Sequence, residues 1–258
     1  MRAEKADLIR EHFARLATAI RFLTIFPVSF RAEDDGDRFP KCLIYFPIVG
    51  LMIGIIGAIF LVLVGPHLPH EILAIIAVIY PAVVTGGLHL DGLADSGDGL
   101  LSHRPKLDSL RIMKDSRIGA MGVIVLFMVL LVKLSGFQAM GIQMPMAMLL
   151  MPVAGRCAIL FTMAWLPYAR EEGGIGGLFY SGLAKKAAIF AFLLLLLVGG
   201  TVAPGMLPML LLFVLLACFL FNKWCLRRLG GATGDTLGAI CELTEASVVV
   251  ACSIYVTM

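Results

Sequence analysis

The sequence concentrates acidic residues in one short stretch, HLDGLADSGDG, which spans residues 89–99. Asp91, Asp95 and Asp98 are spaced i, i+4, i+7, so a helix would present all three carboxylates on one face. Like charges at this spacing repel one another unless a cation lies between them. Carboxylates suit hard cations, and Mg²⁺ completes its shell with water and substrate phosphate. We therefore predict that these aspartates bind Mg²⁺ in a catalytic centre, with His89 as a further catalytic residue; a solvated helix end is the alternative.

The second polar motif, MKDSRIGAMG, combines both charge types just before a long apolar run. Basic side chains and free backbone N–H groups at the start of a helix favour phosphate. We predict that Lys114, Ser116 and Arg117 bind a phosphate of the substrate and that Asp115 joins the acidic catalytic set. A basic anchor for anionic lipid is the alternative interpretation.

Two later motifs supply further candidates for substrate binding. YAREEGGIGG contributes Arg170 and Glu171 ahead of a glycine-rich run, which suits a lid that carries charge to a site, or equally a flexible solvated loop. GGATGDTLGAICEL contributes Asp235 and Thr236 at the start of the last apolar run. We predict that all four residues bind substrate.

Ionisable residues lie inside two of the later apolar runs. They are Arg156, Glu242 and Glu245. Such residues are costly in a membrane and are candidates for function by default. Arg156 is predicted to bind substrate, and an ion pair between Arg156 and one of the glutamates is the structural alternative.

The elements that must position these motifs are apolar helices. The chain is 60% hydrophobic and 15% charged, which is typical of a membrane protein. A helix needs about 20 apolar residues to cross the bilayer core. We predict an all-α, polytopic helical bundle with about seven transmembrane helices (six to eight) and an N-terminal interfacial helix near residues 12–28. The expected spans are roughly 43–64, 72–90, 119–135, 145–165, 186–202, 205–222 and 237–257.

The bundle is expected to form one domain over residues 1–258, with residues 1–42 as its N-terminal segment and 43–258 as the transmembrane part. Lysine and arginine occur in alternate connections between the expected spans. The connections 65–71, 136–144 and 203–204 contain none, whereas the others contain nearly all of them. By the positive-inside rule the basic connections are cytoplasmic, and this places every polar motif on the cytoplasmic side.

The motifs, in this order, resemble the cobalamin synthase family, adenosylcobinamide-GDP ribazoletransferase. The resemblance covers essentially the whole chain, and GGLHLDGLAD followed closely by DG is its most specific part. The matching stretches are RFLTIFPV, YFPIVGLMIG, GGLHLDGLADSGDG, MKDSRIGAMG, YAREEG and GGATGDTLGAICEL.

The resemblance implies a Mg²⁺-dependent reaction in the cytoplasmic (inner) membrane of a prokaryote. A hydroxyl of α-ribazole, or of its 5′-phosphate, attacks the cobinamide-side phosphorus of adenosylcobinamide-GDP. GMP leaves, and a phosphodiester closes the nucleotide loop of cobalamin. The implied partners are these two substrates and the lipid bilayer. Other cobalamin-assembly enzymes or a second copy of the chain are left open as partners, and no nucleic acid is expected.

Other functions fit parts of the same pattern. A Mg²⁺-dependent phosphotransferase of the CDP-alcohol type would use a similar aspartate arrangement. A cation transporter would use the charges inside the spans, although transport sites usually lie at the midplane of the membrane. A scaffold that anchors other enzymes would leave the aspartate face unexplained. Release of GMP from adenosylcobinamide-GDP by the purified protein would distinguish the ribazoletransferase from a transporter or a scaffold.

Overall fold

In lipid, backbone N–H and C=O groups find no water and must form hydrogen bonds with one another. An α-helix forms these hydrogen bonds within one segment. The computed structural model describes residues 2–30, 35–170, 175–180 and 182–258, and within these residues it contains helices and no β-strand. The helices are α1 (Arg2–Leu23), α2 (Asp35–Cys42), α3 (Phe46–Val64), α4 (His70–Val84), α5 (Leu88–Leu101), α6 (Lys106–Ile112), α7 (Ala120–Met140), α8 (Met144–Trp165), α9 (Ile175–Leu178), α10 (Ala184–Val202), α11 (Leu207–Leu229) and α12 (Gly234–Thr257). The predicted all-α class is confirmed.

Several helical stretches have the length and composition of membrane spans. Five such stretches occur among the described residues, and the bent pair α4–α5 makes a sixth if it is counted as one span. The five are Arg38–His67, Ala120–Trp165, Ala184–Val202, Pro204–Leu229 and Gly234–Thr257. The chain is therefore a multi-pass membrane protein, as the sequence predicts.

The longest stretch, Ala120–Trp165, contains both α7 and α8. Its 46 residues would extend about 69 Å as one straight helix, roughly twice the thickness of the bilayer core. The chain instead turns back near Gly141: the carbonyl of Gln138, late in α7, lies 2.7 Å from Nε2 of His70 at the start of α4. After α8 the chain returns to the other end of the bundle, where the backbone N–H of Ala169 donates to the carbonyl of Ala232. The predicted number of about seven spans thus depends on counting α7 and α8 separately and α4–α5 as one crossing.

The predicted span 72–90 is wrong at its C-terminal end. Helix α4 ends at Val84, and α5 starts at Leu88 after an angle of 92°. Gly86 and Gly87 cause the break, because their φ values of 60° and 73° lie in the left-handed region that glycine adopts without strain. His89 and the three aspartates consequently belong to a separate helix of 14 residues, which is too short to span the membrane by itself.

Helix α12 lies at the centre of the bundle, where it packs against α5, α7, α8 and α11. Its contact with α5 is especially close, because a Cβ atom added to Gly92 would lie 2.7 Å from the carbonyl oxygen of Asp235. Only glycine permits this approach. This close contact places α5, which carries the aspartates, directly against the N-terminal turn of α12.

Candidate active site

Residues from the first, third and fourth polar motifs surround one cavity at a single end of the bundle. The cavity has a volume of about 310 Å³. Its polar side chains come from α5, from the segment after α8 and from the start of α12; they are His89, Asp91, Tyr168, Arg170 and Asp235. The second motif lies at the same end, because Asp98 of α5 contacts the first turn of α7. The sequence prediction that the motifs share one side of the protein is consistent with this geometry.

The acidic residues of the site interact with one another. Asp91 is exposed at the cavity, whereas Asp95 is half-buried on the next turn of α5. Loss of hydration raises the pKa of Asp95 to about 6, and the negative charges of Asp91, Asp235 and Asp98 add to this effect. The electrostatic potential at Asp95 is therefore negative, because three other carboxylates oppose its ionisation. Such a potential attracts a cation or a basic group of a ligand.

Asp98 has a structural role that the spacing of the aspartates did not predict. Its Oδ2 accepts a hydrogen bond of 2.6 Å from the backbone N–H of Gly119, and its Oδ1 accepts one of 2.8 Å from that of Gly122. These groups are free donors at the start of α7, and a carboxylate there also interacts favourably with the helix dipole. Asp98 therefore fastens α5 to α7, and its predicted participation in metal binding stays a prediction.

The three aspartates of α5 do not form a preassembled cluster of metal ligands. Across the described parts of the chain, no group of three His, Cys, Asp or Glu side chains is close enough to hold a metal ion. Mg²⁺ nevertheless needs only one or two carboxylates when water and substrate phosphates complete its octahedron. Carboxylate oxygens are the ligands that such a hard cation prefers. Asp91 and Asp235, which line the cavity, and Asp95 on the next turn of α5 are the carboxylates from which one or two such ligands could come.

Asp235 and Thr236 differ in what they do. Nη2 of Arg170 donates to Oδ2 of Asp235 at 2.6 Å, at the edge of the cavity. Thr236 is fully buried and caps α12: its Oγ1 accepts from the backbone N–H of Thr233 at 2.7 Å, and Thr233 Oγ1 accepts from that of Thr236 at 3.2 Å. The prediction that Thr236 binds substrate is therefore corrected to a capping role, which the sequence T-x-x-T at a helix start indicates. Glu171, also predicted to bind substrate, lies outside the described residues.

The second motif forms an exposed loop outside the lining of the cavity. Arg117 holds Asp115 with both arms of its guanidinium, with Nε 3.0 Å from Oδ1 and Nη2 2.7 Å from Oδ2. These hydrogen bonds lower the pKa of Asp115 to about 2. Ser116 is exposed beside them. Lys114 is near enough to the cavity residue Tyr168 to oppose the rise in the pKa of its hydroxyl that burial causes. Phosphate binding by Lys114, Ser116 and Arg117 stays a prediction.

A buried ionic network lies deeper in the bundle. Nζ of Lys133 in α7 is 2.6 Å from Oε2 of Glu242 and 2.7 Å from Oε2 of Glu245. Arg156 of α8 donates to the other carboxylate oxygen of Glu245. Arg156 is completely buried and is not part of the cavity wall, so its predicted contact with substrate is corrected to an ion pair. Lys133 was missed by the sequence analysis, although a lysine inside an apolar run is the same signal that singled out Arg156.

His89 lies between the cavity and this network. Its side chain is 4% exposed, and its Nε2 has no hydrogen-bond partner in the portion of the chain that the structure describes. A buried polar atom without a partner costs about 1–3 kcal/mol, so few are retained without a reason. His89 lines the cavity, and its predicted catalytic role stays a prediction.

Comparison with known proteins identifies the family. The model of the cobalamin-5-phosphate synthase family matches residues 15–253. A protein of Alkaliphilus metalliredigens named adenosylcobinamide-GDP ribazoletransferase is 40% identical over 90% of this chain and 91% of its own length. Proteins with the same name from Roseiflexus sp. and Desulforamulus reducens are 39% and 38% identical, over 90% and 92% of this chain and 87% and 95% of their own lengths.

These relatives support neither the CDP-alcohol phosphotransferase alternative nor the cation transporter. No solved structure matches the chain. Because the family match covers most of the sequence, the chain belongs to the cobalamin-5-phosphate synthase family.

Proposed function

We propose that this chain joins α-ribazole, or its 5′-phosphate, to adenosylcobinamide-GDP with release of GMP. A hydroxyl oxygen of the acceptor forms a bond to the cobinamide-side phosphorus, the bond from that phosphorus to the bridging oxygen breaks, and the hydroxyl proton passes to the surroundings. The observation that carries this proposal is the meeting of Asp91, Asp235 and Arg170 at one cavity in a chain of this family. Displacement at a diphosphate requires carboxylates that bind a cation and a guanidinium that binds phosphate.

We propose that Asp91, Asp95 and Asp235 hold Mg²⁺ at this cavity. When bound, the ion neutralises charge on the diphosphate and on the departing phosphate. Arg170 supplies a planar fork that suits two phosphate oxygens, and its link to Asp235 keeps it at the edge of the cavity. Lys114, exposed in the loop before α7 at the same end of the bundle, supplies a further cation. Together these residues bind and orient the diphosphate.

We also propose that this end of the bundle faces the cytoplasm of a prokaryotic cell. The connections at the opposite end, residues 65–69, 141–143 and 203–206, contain no lysine or arginine. The end with the cavity contains Arg104, Lys106, Lys114 and Arg117. This asymmetry follows the positive-inside rule.

The experiment that tests the function uses purified protein in lipid nanodiscs with adenosylcobinamide-GDP, α-ribazole and Mg²⁺. We expect GMP and the joined cobamide to appear in equal amounts. Asp91→Asn should reduce the rate by about 10² or more, because stabilisation of phosphoryl charge by a metal contributes several kcal/mol. The control is Asp108→Asn on α6, whose carboxylate is exposed and pairs only weakly with Arg111 at 3.3 Å. GMP release without a joined product, or no release at all, would contradict the proposal.

A further inference from the structure

The lining of the cavity contains an apolar group of side chains, the apolar part, and a charged group, the polar part. Three phenylalanines from different elements meet in the apolar part: Phe22 of α1, Phe46 of α3 and Phe179 after α9. The ring centres of Phe22 and Phe179 are 4.7 Å apart, those of Phe46 and Phe179 are 5.6 Å apart, and Phe22 stacks on Phe46 at 5.9 Å. The charged residues Asp91, Arg170 and Asp235 occupy the other part. A ligand with one apolar end and one polar end matches this division.

His89 is a buried polar side chain in the lining of the same cavity. His89 lines the cavity, and its buried Nε2 has no partner among the residues described, so a ligand in this cavity can supply the missing hydrogen bond. The surrounding wall includes Leu88, Ile159 and Met163, which offer no competing polar side chain. A ligand group in this part should therefore be largely apolar and should carry a single polar atom.

Size and polarity distinguish the possible occupants. A volume of about 310 Å³ lies at the lower end of the range for small-molecule sites, and the corrin macrocycle with its side chains is far too large for it. The remaining candidates are the guanosine of the donor and the α-ribazole acceptor. Guanine carries several donors and acceptors around its edge, which an apolar wall would leave unpaired at a high cost. The base of α-ribazole is a dimethylbenzimidazole, an apolar bicycle with one unsubstituted ring nitrogen.

We infer that this cavity is the subsite for the acceptor base: the rings of Phe22, Phe46 and Phe179 contact the benzimidazole, and His89 Nε2–H donates a hydrogen bond to its free ring nitrogen. The inference rests on the proposed function for the identity of the acceptor. Bound in this way, the base directs its ribose toward Asp91, Arg170 and Asp235, where the phosphate chemistry takes place. Acceptor specificity is thus determined by the residues of α1, α3 and α5 that line the apolar part.

The first test is equilibrium binding to the purified protein in nanodiscs, without donor. The probes are α-ribazole and its indole counterpart, a ribonucleoside in which a C–H group replaces the free ring nitrogen. Wild type should bind α-ribazole about tenfold more tightly than the indole analogue, since one buried hydrogen bond separates them. In His89→Phe the two ligands should bind equally. Equal binding of both ligands to wild type would overturn the inference, and this comparison requires no variant to fold.

The second test identifies which substrate the apolar part holds. Phe46→Ala should raise KM for α-ribazole about tenfold or more and leave KM for adenosylcobinamide-GDP unchanged, because a stacked aromatic ring contributes both area and geometry. Phe137→Ala is the matched control: Phe137 in α7 is 0% exposed, Phe46 is 2% exposed, and Phe137 is not part of the cavity wall. A rise in KM for the donor alone would assign the cavity to guanosine and overturn the inference while the function stands. Absence of transfer by wild type would contradict the function, and the binding comparison would still decide the subsite.

Discussion

Arg170 and Asp235 are 65 residues apart in sequence and lie 2.6 Å apart in the structure, from Nη2 to Oδ2. The contact joins the segment that follows α8 to the first turn of α12. Both side chains are largely buried, with exposed fractions of 14% and 22%. The contact with Asp235 therefore fixes the positive charge of Arg170 at the edge of the cavity.

The first prediction concerns this pair. Arg170→Gln should lower kcat with adenosylcobinamide-GDP by about tenfold or more, because the acidic residues lose their neighbouring cation and the diphosphate loses a fork of donors. Arg170→Lys should recover only part of the rate, since lysine retains the charge without the planar fork. Steady-state kinetics at saturating α-ribazole measures both effects.

The control for this pair is Arg111→Gln on α6, where an arginine that is 82% exposed pairs with Asp108. This variant should retain the wild-type rate, because exposed ion pairs contribute little. Equal kinetics for Arg170→Gln and Arg111→Gln would show that Arg170 takes no part in the reaction.

The second prediction separates two aspartates that lie on the same helix. Asp91→Asn should increase the Mg²⁺ concentration needed for half-maximal rate and should leave thermal stability close to that of wild type. Asp98→Asn should instead lower the melting temperature, since an amide cannot accept both backbone hydrogen bonds at the start of α7. Mg²⁺ titration of the rate and thermal unfolding in detergent give the two readouts. A shift in Mg²⁺ requirement for Asp98→Asn without loss of stability would return Asp98 to the metal site.

The sequence predicted the long helices well because each helix that crosses the bilayer needs a run of about 20 apolar residues. Helix α8 was expected over 145–165 and forms over Met144–Trp165, and α12 was expected over 237–257 and forms over Gly234–Thr257. The structure brings His89, Asp91, Arg170 and Asp235, which the sequence predicts as site residues, to the lining of the same cavity. Polar residues that remain among apolar helices have few roles available other than binding and pairing.

Other features could not be deduced from spacing along one helix. The roles of Asp98 and Thr236 depend on which backbone N–H groups lie nearby, and this is decided by the packing of α5 on α7 and by the start of α12. The break between α4 and α5 depends on left-handed φ values at Gly86 and Gly87. In the sequence, these two glycines are equally compatible with the end of a continuous span. Likewise, the partner of Arg117 is a residue two positions away, a local pairing that competes with phosphate for the same guanidinium.

The third prediction concerns the buried ionic network. Lys133→Met removes the cation that lies against both Glu242 and Glu245, and leaves two buried carboxylates with Arg156 alone. Breaking a buried pair on one side costs about 3–5 kcal/mol, so the melting temperature should fall clearly. The double variant Lys133→Met with Glu242→Gln should recover much of this loss, because it removes one charge of each sign.

Thermal unfolding in detergent measures these effects, with Lys223→Met as control. Lys223 is exposed on α11 and rests over the ring of Phe219. Its replacement should change the melting temperature little. A double variant as unstable as Lys133→Met would show that Lys133 and Glu242 do not act as a pair.

The last prediction concerns orientation, and it uses two exposed apolar residues at opposite ends of the bundle. Leu107 on α6 is 74% exposed near the cavity end, and Ile142 between α7 and α8 is 96% exposed at the other end. If the basic end faces the cytoplasm, a membrane-impermeant maleimide added to intact cells should label Ile142→Cys and should label Leu107→Cys only after the membrane is permeabilised. The parent protein is a suitable control because all six of its cysteines are free and buried, so its background labelling should be low. Labelling of Leu107→Cys and protection of Ile142→Cys in intact cells would place the cavity on the outer side, where the proposed use of a cytoplasmic nucleotide-activated donor would no longer hold.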